Sequence, residues 1–382
     1  MKEGWTYKKL GEVCEILDSQ RRPITKGKRE SGAIPYYGAT GVLDYVKDFI
    51  FDEKLVLLGE DGAKWGAGDK SSFIISGKSW VNNHAHVLRL KQNILIDEIL
   101  VYYLNFSNLQ SYITGVTVPK LNQERMRSIE IPVPPLSEQQ RIVSYLDTAF
   151  AQIDALKAKA EKQLNEAKAL FQKALTKAME PKEGWEEKKL KELTTKIGSG
   201  ATPKGGKKVY IGEGTSLVRS MNVHNNVFKY KDLAHINEDA SKQLDGVELK
   251  QNDVLFNITG ASIARCCIIP NNILPARVNQ HVSILRPIIE LILPEFLCLI
   301  MLSASHQKEL LAIGIAGSTR QAITKSDLEN HVVIIPSLPD QHRIVTYLDT
   351  LSEKVKSLES NLNKVTAECT ALKQSILRQV FE

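Results

Sequence analysis

Lys2-Glu3-Gly4-Trp5, followed by Lys8-Lys9-Leu10, recurs 180 positions later as Lys182-Glu183-Gly184-Trp185, followed by Lys188-Lys189-Leu190. A second stretch, Arg141-Ile142-Val143 with Tyr145-Leu146-Asp147-Thr148, recurs 202 positions later as Arg343-Ile344-Val345 with Tyr347-Leu348-Asp349-Thr350. Solenoid repeats have periods of about 20–50 residues, so a period this long marks a duplicated domain rather than a solenoid. The repeated unit is a globular domain followed by a helix. A chain carrying it twice offers two similar surfaces related by pseudo-twofold symmetry.

The helices are read outward from the second repeat. Residues 137–181 predict one long helix segment, opened by Ser137 and Gln140 in capping-box spacing after Pro134-Pro135. Leu146, Ala149, Ile153, Leu156, Ala160, Gln163, Ala167, Leu170 and Ala174 step by alternating three and four, the spacing of a coiled-coil seam. The second copy, 339–382, repeats that seam as Leu348, Leu351, Val355, Leu358, Leu362, Val365, Cys369, Leu372 and Ile376. Small residues in the first seam complement larger ones in the second. This predicts that the two helices pack on each other.

The remaining segments, 1–136 and 182–338, are rich in short β-prone runs punctuated by Gly, Asn, Asp and Pro. Val56-Leu57-Leu58-Gly59 with Gly62-Ala63 is matched by Val254-Leu255-Phe256-Asn257 with Gly260-Ala261. Val81-Asn82-Asn83-His84 with Leu88-Arg89 is matched by Val278-Asn279-Gln280-His281 with Leu285-Arg286. Helices are expected near 97–113 and 294–312. The framework repeats while the intervening loops differ, as in a scaffold that carries two recognition surfaces. The predicted fold class is α+β: two similar globular domains separated by two long helices packed as an antiparallel coiled coil, with a pseudo-twofold internal repeat.

A formal net charge of +6 is a mild excess. It sits mainly in the two globular segments, and it excludes a histone-like binder held by charge alone. The five cysteines show no CxxC spacing, which points to a reducing, cytoplasmic setting without a zinc ribbon. The first residues lack an apolar signal region. The run Ile288 to Leu302 is interrupted by Glu290, Pro294 and Glu295, so no membrane association is expected.

Catalytic patterns are missing. Gly205-Gly206-Lys207 is followed by Lys208 where a phosphate loop needs Ser or Thr for magnesium, and it reads as a turn. His84-x-His86 has Ser283 in place of its second histidine in the other copy, so these histidines read as framework braces and no metal site is expected. Asn82, Asn83, Asn279 and Gln280 fit either backbone bracing or groups offered to a ligand.

Polar loops are the candidates for binding. In the first segment they supply Gln20, Arg21, Arg22, Tyr36, Tyr37, Thr40, Lys64 and Trp65. In the second they supply Thr202, Lys204, Lys207, Lys208, Arg219, Ser220, Asn222, Ser262 and Arg265. Arg reads guanine bidentately, Asn and Gln read adenine, and Ser, Thr and Lys hold phosphates. Each loop alone is an ordinary solvated loop. Their recurrence after matched framework points in both halves makes them candidates.

Gly4-to-Leu10 and Gly184-to-Leu190, together with Ile131-Pro132-Val133-Pro134-Pro135-Leu136-Ser137-Glu138-Gln139-Gln140-Arg141-Ile142-Val143 running into a long helix, resemble the specificity (S) subunit of type I restriction-modification systems. Ile34-Pro35-Tyr36-Tyr37-Gly38-Ala39-Thr40-Gly41 and the Thr202-Pro203 turn look like target-recognition-domain sequences of that family. The resemblance covers essentially the whole chain. The second copy departs at Ser337-Leu338-Pro339, where the first has Pro135-Leu136-Ser137.

The resemblance implies a non-catalytic reader of double-stranded DNA, with each recognition domain reading half of a bipartite asymmetric site and the helix pair setting the spacer. It implies two modification (methyltransferase) subunits, docked near Gln139, Arg141, Gln341 and Arg343, and restriction/translocase subunits as further partners. This chain would bind no cofactor, and S-adenosylmethionine, ATP and Mg would belong to those partners. The competing reading is a coiled-coil adaptor that binds only proteins. Two dissimilar loop sets on one scaffold argue against it. A fused methyltransferase is disfavoured because no Asn-Pro-Pro-Tyr or Asp-Pro-Pro-Tyr occurs.

Overall fold

The computed structural model describes residues 2–115, 117–316 and 322–382. The chain forms two units: Met1–Lys162 with Asn361–Glu382, and Gln163–Ser360.

In the first unit, strand Thr6–Lys9 pairs antiparallel with Glu130–Val133, so the start and end of the globular segment meet at one neck. A four-stranded antiparallel sheet runs in the order Cys14–Ile16, Ala85–Leu90, Leu55–Gly59, Ser72–Ile75. Strand Leu55–Gly59 is buried at every position. Successive side chains of a strand point to opposite faces, and here each face has its own core. Val56 and Leu58 join Leu10, Val13, Leu88 and Leu100 in one cluster. Leu55 and Leu57 join Phe51, Ile75 and Val87 in the other. A second sheet has the order Gly41–Val46, Ser31–Gly38, Lys78–Val81, Phe51–Asp52, and its central pair is parallel, with Tyr36 opposite Trp80.

The second unit repeats this plan. Glu186–Lys189 pairs with Val332–Ile335 at the neck. The antiparallel sheet has the same order, Thr194–Ser199, Val282–Pro287, Val254–Asn257, Cys266–Ile268. Val254 and Phe256 face one core and Leu255 the other. The second sheet keeps the parallel pair, with Ser216 of Thr215–Val218 opposite Ala276 of Ala276–Val278. A short hairpin, Val223–His224 with Val227–Phe228, is particular to this copy among the described residues.

The expected helix near 97–113 is observed as Asp97–Phe106. Its counterpart is broken into Pro294–Met301 and Ala304–Ala316, with a bend of 65° between them. At the break the Ser303 hydroxyl donates to the Ile300 carbonyl at 2.8 Å. The same carbonyl accepts from the Ser303 amide at 3.0 Å, so the first helix closes in a tight turn there. No single helix among the described residues is long and apolar enough to cross a membrane.

The long helices span Leu136–Ala178 and Leu338–Phe381. The first starts one residue early, which places Ser137 in its first turn rather than at the cap. In the first unit Lys373 Nζ lies 2.7 Å from Asp154 Oδ1, and in the second Lys168 pairs with Glu359. Within the first unit Cys369 lies against the Ile153 carbonyl and Lys373 over the Phe150 ring, so numbering rises along one helix as it falls along the other and the two segments there run antiparallel.

The seam departs from strict heptads. The second helix keeps its inward positions from Leu348 through Cys369, but Leu372 is exposed and Lys373 takes its place. In the first helix Leu146, Ala149 and Ile153 face inward, and Ala160, Ala167 and Ala174 do so again. Leu156 and Leu170 are 60% and 65% exposed, whereas Leu164 is 7% exposed and Phe171 packs against the second core. The inward path runs 149, 153, 157, 160, 164. Two consecutive four-residue steps form a stutter, which returns the helix from the 3.5 repeat of a supercoil toward its natural 3.6.

Candidate nucleic-acid interface

Both sheets of each unit meet at one tight turn, and its geometry is the same in the two copies. In the first, Asn82 Oδ1 accepts from the His84 amide at 2.8 Å, and in the second Asn279 Oδ1 accepts from the His281 amide at 3.0 Å. Asn82 and Asn279 are buried, so of the two readings open for them bracing is the one the structure shows. Asn83 and Gln280 beside them are exposed.

Three loops converge on each turn. In the first unit the Arg22 amide donates to the Val81 carbonyl, the Asn82 amide to the Tyr37 carbonyl, and the Glu60 amide to the His84 carbonyl. In the second, the Gly200 amide donates to the Asn279 carbonyl, the Asn279 amide to the Val218 carbonyl, and the Ile258 amide to the His281 carbonyl. The candidate loops of each half, far apart in sequence, are thereby gathered around one point.

The side chains in these loops differ in what they can offer. Gln20, Arg22, Thr40 and Lys64 are exposed in the first unit, and Tyr37 is half-buried against Phe73. Thr202, Lys204 and Lys208 are exposed in the second, and the Thr202 hydroxyl donates to Gln280 Oε1 at 2.7 Å. Arg219, Ser220, Ser262 and Arg265 are half-buried, and Arg219 reaches the Asp232 carbonyl. The Lys207 side chain lies outside the described residues. Burial lowers the pKa of His224, and the Lys229 and Arg265 charges lower it further.

Several expected binding residues belong to the framework instead. Tyr36 is 1% exposed, and its hydroxyl accepts from the Ile24 amide, pinning the 18–30 loop to the sheet. Trp65 is 3% exposed and donates to the Gly59 carbonyl at 3.0 Å. Asn222 is fully buried; it accepts from the Arg219 amide and donates to the Lys229 carbonyl. Arg21 donates to Glu60 and to the Ala85 carbonyl at 2.8 Å. Its network includes Lys120 on Glu60 and His86 on Asp18. Burial raises the Asp18 and Glu60 pKa values, but hydrogen bonds outweigh it, from His86 on Asp18 and from Lys120 and Arg21 on Glu60. Both carboxyls therefore sit below their ordinary values. His86 is fully buried between Asp18 and the Leu121 carbonyl, and His84 is held by Asp61, as framework braces.

Gln139 and Gln341 are corrected in the same way. Both are fully buried. Gln139 accepts from the Ile96 amide and donates to the Ile94 and Pro134 carbonyls. Gln341 repeats this with the Leu293 amide and the Leu291 and Pro336 carbonyls. An amide side chain carries donor and acceptor together, so one residue satisfies three backbone groups where the long helix enters its domain. Arg141 and Arg343, two positions on, are exposed, as are the paired Tyr145 and Tyr347.

Two further exposed groups were not among the expected residues. They are Lys229-Tyr230-Lys231, and Val42, Leu43 and Tyr45 of the Ser31–Val46 hairpin. An aromatic between two lysines is a usable sequence signal for nucleic acid.

The sequence model of the type I restriction modification DNA specificity domain matches residues 2–166 and again 182–367. The chain belongs to this family. Among its relatives is S.HindORF215P of Haemophilus influenzae, provisionally designated a type I restriction enzyme specificity subunit. It is 37% identical over 145 residues, which is 38% of this chain and 37% of the relative. The EcoKI specificity subunit of Escherichia coli is 23% identical over 99% of this chain and 85% of its own length. A chain from a structure of a type I R-M system, described for its complex assembly and conformational transition, superposes with a TM-score of 0.74. It is 18% identical, with 100% of this chain and 98% of that one covered, and this likeness is one of fold.

Proposed function

We propose that this chain is the DNA-reading subunit of a type I restriction-modification complex, with each globular domain reading one half of a bipartite, asymmetric site. The observation that carries the reading is the repeated convergence of three loops, different in sequence, on one shared turn geometry in each unit. Identical frames with different exposed side chains suit two half-sites of different sequence. The antiparallel helix pair sets the unspecified spacer between them. The chain itself performs no chemistry. Methyl transfer with S-adenosylmethionine belongs to two modification subunits, and ATP- and Mg-dependent steps belong to restriction subunits. The exposed Arg141 with Tyr145, and Arg343 with Tyr347, give the modification subunits two equivalent docking points. Beside the second lies a groove of about 310 Å³ lined by Ala174, Lys177, Ala178, Lys182, Arg343, Ile344 and Tyr347.

The test is selection from random duplexes with the chain assembled with its modification subunits. Enrichment of two short fixed blocks around a spacer of fixed length is expected. Absence of enrichment would leave the protein-only adaptor, and a single uninterrupted block would overturn the bipartite reading.

A further inference from the structure

The two recognition domains part company beside the shared turn. In each, a strand runs parallel to the one leading into the turn, and a carbonyl near its end accepts from the turn asparagine: Tyr37 from the Asn82 amide, and Val218 from the Asn279 amide. In the first domain that strand turns straight back. Gly38 pairs with Gly41, and Ala39-Thr40 is the whole connection. In the second, Thr215–Val218 also pairs antiparallel with the strand that follows, Ala234–Ile236, but residues 219–233 intervene.

This added segment is braced along its length. Asn222 is fully buried; it accepts from the Arg219 amide at 3.0 Å and donates to the Lys229 and Lys231 carbonyls at 2.9 and 3.4 Å. Asn257, also fully buried, donates to the Ser220 carbonyl at 2.9 Å. The Asn226 amide donates to the Cys266 carbonyl at 2.8 Å. The Tyr230 ring meets Phe228 edge-on at 5.2 Å, and its hydroxyl donates to Asn272 Oδ1 at 3.2 Å. Lys229 and Lys231 are therefore exposed on a segment whose backbone is already fixed, and such preorganisation lowers the entropy cost of binding.

The charge of the segment is unbalanced. Residues 219–233 carry Arg219, Lys229 and Lys231 against Asp232 alone, and the adjoining loop 257–265 carries Arg265 and no acid. Other cations of the same domain are paired: Lys242 with Glu238, Lys325 with Glu329, Arg277 with Asp245 and Arg286 with Asp253. Arg219 is occupied by the Asp232 carbonyl. Among the described residues Lys229, Lys231 and Arg265 have no carboxylate partner. After burial, the charges of Lys229 and Arg265 are what lower the His224 pKa, which places both near that residue.

We propose that residues 219–233 are a positioning arm particular to the second domain, whose Lys229 and Lys231, with Arg265 at its base, bind phosphates of the duplex backbone and read no base. This rests on the reading of the chain as a DNA-binding subunit. A lysine ammonium is a point charge with donors only, suited to phosphate. Phosphate contacts fix register and carry no sequence information.

The test uses the chain assembled with its modification subunits, binding the duplex that the complex selects, across a salt series. Lys229→Gln combined with Lys231→Gln should lower the slope of log affinity against log salt by about two charges, and Arg265→Gln by about one. Selection from random duplexes by these variants should return the wild-type blocks and spacer. Lys242→Gln, at an exposed lysine already paired with Glu238, should leave the slope unchanged. If the wild-type complex selects its site and the double variant keeps the full slope, the arm is overturned and the DNA-reading role stands. Altered base preference in the double variant, or an equal fall in slope for Lys242→Gln, would also overturn the arm alone. A wild-type complex that selects no duplex would overturn both.

Discussion

Arg21 places its guanidinium against Glu60 and Asp18, whereas the side chain of Arg22 beside it is exposed and only its backbone is tied down, the amide donating to the Val81 carbonyl and the carbonyl accepting from the Trp80 indole. The two arginines therefore make different predictions. Arg21→Ala removes charge-assisted hydrogen bonds from part-buried carboxylates and should cost about 1–3 kcal/mol of stability. The pH dependence follows from the signs. Asp18 and Glu60 are depressed below their ordinary 3.8 and 4.5, so the stability they contribute is present above those values and lost as pH falls through the folded ones. Without Arg21 the depression shrinks, and the acid-unfolding midpoint should move to higher pH, as circular dichroism against pH would show. Arg22→Ala keeps the backbone bond and should fold normally. If Arg22 reads a guanine, the change costs about 1–3 kcal/mol of binding and relaxes one position. If it holds a phosphate, binding weakens evenly across sequences and the salt slope falls by about one charge. Unchanged affinity and selectivity would remove Arg22 from the interface. Sequence could not separate the pair, because the partners of Arg21 lie at Glu60 and Ala85, across the sheet.

At the scale of elements, the long helices were legible to within two residues at their starts, because apolar periodicity over forty-odd residues is a strong signal. The sheet framework was legible through its repeats, since matched runs such as 56–59 and 254–257 occupy matched strands. The seam was legible only in part. A strict heptad points to Leu156, Gln163 and Leu170, whereas the stutter turns Lys157, Leu164 and Phe171 inward. A composition-blind rule cannot tell an exposed leucine from a buried one when both lie one position apart from the seam. The buried position should dominate stability. Leu164→Ala is expected to cost about 2–4 kcal/mol, and Leu156→Ala to stay within about 0.5 kcal/mol. Thermal unfolding of the two variants checks this, and equal losses would restore the strict heptad seam.

For the whole molecule, the decisive property is that each recognition domain is closed at its own neck. Glu186–Lys189 pairs with Val332–Ile335, so both ends of segment 182–338 leave from one side of one ribbon. Cuts before 182 and after 338 break no sheet pairing within it. What crosses the cuts is packing: Leu175, Val345 and Leu348 join the domain core, and Gln341 holds the Leu293 amide. A donor segment must therefore supply a matching apolar face and a backbone turn for Gln341, which another member of the family repeating these motifs would do. Replacing 182–338 with that segment should change one half of the recognised site and leave the other half and the spacer as they were, because the first domain keeps its own turn, loops and core. Sequencing of duplexes selected by the chimaera reads all three at once. A change in both halves would mean that the two loop sets do not read independently. A change in spacer alone would move the measuring role from the helices to segment 182–338.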